Sequence, residues 1–289
     1  MSFFRSLLFL VLLGMSIPAV ALEQEEDQQV ETTQDQESDQ APDQAERAAE
    51  LTKKLNNPVA SLISLPINFN YDSNIGPEET GTTFSAQFTP VYPFDISENW
   101  NLIARGVVSY LDQDIPEYGL NETGFSDIVL EAFFSPKEVG PGGVIWGIGP
   151  IALLDTATED SMGFGKWGLG PAGVILKQTG PWTVGALGFY LTDIGGDSDR
   201  EDVEQLFFQP FVGYNLPNGK TSFTLQSEIT RDLEADDTGA FVSFTVNQMF
   251  KIGPQIMQGR IGVRHWYARM GYGPDSTEIT GRLTFLWPK

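Results

Sequence analysis

From Val59 onward the chain is written in runs of about ten to thirteen residues in which apolar and polar side chains alternate with period two. Twelve such runs are present, at 60–71, 83–92, 100–110, 125–134, 143–153, 167–177, 181–191, 204–214, 221–231, 240–250, 256–267 and 278–287. Strands of that length are about double the globular average. Several carry one clean apolar face: Ile63, Leu65, Ile67, Phe69 and Tyr71 in the first run, Ile279, Leu283, Phe285 and Trp287 in the last. Their other faces are polar, as in Thr83, Ser85, Gln87 and Thr89. Runs 167–177 and 240–250 are the least tidy.

The connections alternate as well. Joins after odd runs are long and acidic, such as "LDQDIPEYGLNETG", "DTATEDSMGFGK" and "DIGGDSDREDV". Joins after even runs are shorter and carry Pro, Gly and often Lys, such as "SPKEVGPG", "KQTGP" and "NLPNGK". An up-and-down membrane barrel with both termini on one side produces this asymmetry, with long loops outside the cell and short turns in the periplasm. Rings test the idea independently. Trp100, Trp146, Trp182 and Trp287 lie near the expected periplasmic strand ends, and Trp167 and Trp266 near the outer ends. Tyr71, Phe84, Tyr92, Phe94, Tyr110, Phe125 and Tyr267 follow the same placement, which predicts two aromatic girdles at the headgroup levels.

The remainder of the chain fits an envelope address. Arg5, the apolar stretch "SLLFLVLLG" and Ala19-Val20-Ala21 read as a signal peptide ending at residue 21. There is no cysteine, so neither a disulfide framework nor a lipidated cysteine is available. A net charge of −22 argues against nucleic acid as a partner. Residues 22–44 hold almost nothing that can be buried and read as a disordered acidic tail. "QAERAAELTKKLNN" (44–57) is a short helix with a weak apolar stripe, stopped by Pro58; it is either a linker or a segment that docks at or in the following domain. The expected organisation is therefore a signal peptide (1–21), an acidic periplasmic tail with a short helix (22–57) and the barrel (58–289).

Several phrases also resemble a known group: "NNPVASLISLPINFNYDSNIGP", "QFTPVYPFDISENWNLIAR", "FSDIVLEAFFSPK", "WGIGPIALLDTATED", "GKWGLGP", "GPWTVGALG" and "TFLWPK". They are similar to a family of Gram-negative proteins labelled as transporters, which in turn resembles the outer-membrane channels found beside aromatic-degradation pathways. The likeness runs from Asn57 to Lys289 and leaves the acidic tail outside it. It implies a barrel and a transport role, and it lends no catalytic residue.

Motifs for other chemistry fall short. Gly163, Gly165 and Gly168 spell G-x-G-x-x-G, but "WGLGPAGVIL" follows where a nucleotide fold needs a helix. No acid lies near residue 183, and Lys166 precedes Trp rather than Ser or Thr. His265, the single histidine, falls on the outward face near the upper girdle; a barrel lipase resembles a histidine followed by Ser-Asn-Gly, whereas "HWYARMGYG" follows here. "GDSDRED" (196–202) alternates acids but lacks the central glycine and terminal glutamate of a calcium loop. No cofactor, metal or enzymatic activity is expected.

The lumen carries the functional expectation. Charges facing lipid near the midplane cost about 2–4 kcal/mol each, so those within the runs belong inside. Arg260 and Arg264 share the inward face of run eleven, Arg282 lies on run twelve, and Arg105 on run three. Asp127, Glu131 and Glu228 supply the opposite charge. Across from them Gly147, Gly149, Gly168, Gly170 and Gly185, with Ala172, form a wall of small residues, which implies open space or something packed against it; the 44–57 helix is the candidate plug. The sequence thus predicts an all-β, twelve-stranded antiparallel outer-membrane barrel acting as a passive channel or transporter for small solutes. The alternative is a closed barrel with a structural or surface-binding role. Expected partners are outer-membrane lipid and lipopolysaccharide, the barrel-assembly machinery and the solutes themselves.

Overall fold

A computed structural model describes residues 46–288. The signal peptide and acidic tail fall outside the described residues.

Fourteen strand segments follow one another: β1 (Ile63–Ile75), β2 (Gly81–Phe88), β3 (Val91–Asp95), β4 (Trp100–Ile115), β5 (Leu120–Phe125), β6 (Ile128–Pro136) and β7 (Val144–Leu154) make the first half. The second comprises β8 (Lys166–Thr179), β9 (Trp182–Gly196), β10 (Glu204–Asn215), β11 (Thr221–Asp232), β12 (Asp237–Ile252), β13 (Gln255–Ala268) and β14 (Thr277–Trp287). Segments adjacent in the sheet pair antiparallel, and β1 closes on β14 from Ile63↔Trp287 to Asn70↔Thr280. β2 and β3 form one stave, interrupted at Pro90, which has no N–H to give to a ladder. β5 and β6 form another, with a one-residue slip between Tyr110↔Phe125 and Val107↔Val129. The result is a closed barrel of twelve staves, one for each alternating run.

The structure extends the staves beyond the runs. β4 has 16 residues and β9 has 15, against the roughly 9–11 that cross a bilayer. The extra length lies on the long-loop side, where both faces of a hairpin meet water and alternation is no longer needed. The Tyr110–Phe125 ring pair, 5.5 Å between centroids, marks where the lipid band ends and the outer β4–β5 hairpin begins.

Exposed rings gather at both strand ends, although Trp146 and Tyr110 are only half-exposed. Tyr71, Phe84, Phe125, Trp167 and Tyr267 stand on the outer level, and Tyr92, Phe94, Trp100, Trp182 and Trp287 on the inner one. Between them the outward face presents Ile148, Ile175, Leu225, Phe244, Ile261 and Ile279 to lipid. Trp266 is a correction: it belongs to the interior, where its indole N–H donates to Asp72 at 3.1 Å. It shares the parity of Arg260 and Arg264 on β13, and pleating sends all three inward.

Residues 46–55 form the expected helix, which Asn57 and Pro58 end. It lies across the barrel mouth on the short-turn side. Leu51 and Leu55, together with Ile256, pack against the cluster of Ala60, Leu62, Met249 and Leu286. The buried Thr52 hydroxyl lies 2.8 Å from the Ala48 carbonyl and 2.9 Å from the Gly219 carbonyl, so its one proton is shared between helix and barrel.

Candidate functional site

The interior is two-sided. On one side an apolar cluster fills the lumen, built from Ile103, Phe133, Ile151, Leu153, Val174, Leu176, Leu187 and Leu191. On the other side stand amides, hydroxyls and charges. A cavity of about 370 Å³ lies between the two. Its floor is the 54–64 segment, its polar wall includes Asn68, Gln87, Arg105, Glu228, Arg260 and Arg282, and its apolar wall includes Leu187, Phe189, Phe207 and Phe211.

The small-residue wall faces this interior and is not bare. Phe133 and Val59 lie against Gly147, where an added Cβ would come within 3.3 and 3.0 Å of them. A Cβ on Gly149 would overlap the Ala132 carbonyl, and one on Gly170 the Tyr190 carbonyl. Gly168 is hemmed by Leu153 and Leu191, and Gly185 by Leu176 and the Phe211 ring. Ala172 is buried in the same apolar cluster. Missing side chains here let neighbouring strands and large inward residues approach, so the wall is a packing surface and not a void.

The predicted charges separate into three groups. Arg105 pairs with Glu131 at 2.8 Å across β4 and β6. Arg264 forms a second, deeply buried group: it bonds Asp72, lies 3.9 Å from Glu278, and stacks over the rings of Phe241 and Trp266 at 5.1 and 5.4 Å. Glu278 in turn accepts from the backbone N–H and hydroxyl of Ser73. Asp72 and Glu278 were not in the predicted set. Their signal was parity: Asp72 shares a face with Asn68 and Asn70 of β1, and Glu278 with Arg282 of β14.

The third group lines the cavity. Arg260 and Arg282 are direct cross-strand neighbours, an arrangement of like charge that weakens a sheet unless something offsets it. Each guanidinium is held by one amide: Arg260 Nε donates to Asn247 Oδ1 at 2.6 Å, and Arg282 Nε donates to Asn68 Oδ1. Glu228 lines the same cavity, and its Oε1 accepts from Gln209 and Gln226, each at 2.9 Å.

Asp127 leaves the lumen set. It stands at the β5–β6 slip, where its carboxylate accepts from the backbone N–H groups of Thr156 (2.9 Å), Ala157 (2.9 Å) and Phe164 (2.7 Å). The glycine fingerprint therefore cradles an anion, but one supplied by its own chain. Gly163 allows the approach, since a Cβ there would meet Ala157 and sit 2.8 Å from Asp127 Oδ2; Gly165, at φ +67°, turns the loop. Arg200 bonds the Gly163 carbonyl, and Lys166 pairs with Asp202 at 2.8 Å. The "GDSDRED" charges thus tie two outer loops together. His265 faces outward, with Nδ1 2.8 Å from the Thr277 hydroxyl.

No family model matches the chain, and no curated protein matches it. Among solved structures it aligns with the COG4313 outer membrane channel from Pseudomonas putida F1 at a TM-score of 0.59 and 13% identity, over 79% of this chain and 97% of that one. OmpT, an outer membrane protein of Vibrio cholerae in its trimer form, aligns at a TM-score of 0.38 and 8% identity, over 78% of this chain and 98% of that one. The chain thus has the fold of an outer-membrane β-barrel, similar to that of a solved channel.

Proposed function

We propose that the protein is a passive outer-membrane channel for small solutes, closed at its periplasmic mouth by residues 46–62. One observation carries this reading: residues 54–62 of that segment, which precede the first strand, make most of the cavity floor, joined there by Ser64 of β1. Beyond its apolar contacts, the segment is tied to the barrel by individual hydrogen bonds. Thr52 donates to Gly219, Asn56 Nδ2 donates to Asn215 Oδ1 at 3.0 Å, and Gln178 Nε2 donates to the Lys53 carbonyl at 2.8 Å. Individual bonds of this kind contribute about 0.5–1.5 kcal/mol net, so a mouth held this way can open without unfolding the barrel.

The apolar cluster inside the lumen supports the second reading, a permanently closed barrel with a structural role. Planar-bilayer conductance separates them. A channel passes discrete current steps, larger or more frequent when residues 22–57 are deleted. No current above the lipid background in either form ends the channel reading.

A further inference from the structure

We infer that the cavity is a binding site for a small amphiphile bearing one carboxylate head and an apolar tail. This rests on the channel reading only in placing the cavity on the solute's path.

Charge is the first argument. The cavity wall beyond the floor contains Arg105, Arg260 and Arg282 against Glu131 and Glu228, an excess of one positive charge. Arg105 is ion-paired with Glu131 at 2.8 Å. Glu228 is engaged by two amides. Arg260 and Arg282 are left facing each other, and each uses its Nε on an asparagine. Among the described residues their Nη groups donate to no protein atom. Two adjacent guanidinium forks with free donors, turned into a confined space, match the paired oxygens of a carboxylate. A bound anion would also offset the repulsion between the two cations.

Shape and polarity give the second argument. Across the cavity Leu187, Phe189, Phe207 and Phe211 present hydrocarbon, with the Phe189 and Phe207 rings stacked at 4.8 Å. An inorganic ion or a sugar leaves that wall uncovered, while an alkyl or aryl tail covers it. About 370 Å³ falls within the range typical of small-ligand sites. The arginine pair fixes the head and the apolar wall accepts the tail.

The test uses isothermal titration calorimetry on the full chain in detergent, with four probes: hexanoate, hexylammonium, 1-hexanol and acetate. Hexanoate is expected to bind at least tenfold more tightly than the other three. Arg260→Gln and Arg282→Gln should each weaken it at least tenfold, and Arg282→Lys should restore only part of the loss because the fork is gone. Thermal unfolding accompanies each variant to show an intact barrel. Equal binding of 1-hexanol and hexanoate, or hexanoate binding unchanged in both Gln variants, overturns the inference. Conductance is measured separately. A barrel that binds hexanoate without ever passing current keeps the inference and ends the channel reading. A barrel that conducts without binding hexanoate does the reverse.

Discussion

The Thr52 hydroxyl, fully buried, reaches the Gly219 carbonyl at 2.9 Å and so ties the N-terminal helix to the short turn between β10 and β11. Thr52→Val keeps the shape and removes the donor, leaving a buried carbonyl unpaired at a cost of about 1–3 kcal/mol. The mouth should open roughly fivefold more often or above, read as open probability in single-channel recordings, with barrel melting unchanged.

Arginines that look alike in sequence should part in experiment. Arg264→Gln strands the buried Asp72 and Glu278 together, which costs about 3–5 kcal/mol. Melting in detergent should fall sharply. Arg260→Gln relieves the like-charge pairing with Arg282, so stability should hold within about 1 kcal/mol while preference for anions in the current declines.

Glycines on opposite faces of the wall give a matched pair. Gly149→Ala drives a methyl group into the Ala132 carbonyl and forces β6 and β7 apart, an overpacking cost of about 3 kcal/mol. At Gly173, on the outward face of β8, the nearest atom to an added Cβ is 3.8 Å away. Gly173→Ala should be nearly neutral. Heat-dependent mobility on gels reads both.

Sidedness of the tryptophans is measurable by fluorescence. In a variant retaining only Trp266, brominated lipid should leave emission unquenched, because the indole lies inside against Asp72 and Arg264. A variant retaining only Trp167 should be strongly quenched, since that ring is exposed at the outer girdle.

Much of the fold was legible because a lipid-facing strand must alternate, and every alternating run is a stave. Interior partnerships were harder to see. Asp72 and Glu278 sit 206 positions apart in the chain and meet through barrel closure, which sequence spacing does not display. Parity did place Arg260, Arg264 and Arg282 inside, and the same rule held for Trp266, where ring chemistry pointed the other way. Asp127 misled because it stands in the slip between β5 and β6, where alternation stops reporting direction. The apolar half of the lumen was hidden for a related reason. On β7 to β9 both faces are apolar, one for lipid and one for the internal cluster, and a two-letter pattern cannot distinguish them.

Closure of the mouth by the N-terminal segment can be tested by tethering it. The chain has no cysteine, so Asn56→Cys with Asn215→Cys places the only two thiols where the side chains now share a 3.0 Å hydrogen bond. A short, reducible thiosulfonate cross-linker then locks the segment to β10, and bilayer current is recorded before and after reductant. No current steps are expected in the cross-linked barrel, and they should return on reduction. Steps of equal size and frequency in both states would contradict closure by the segment.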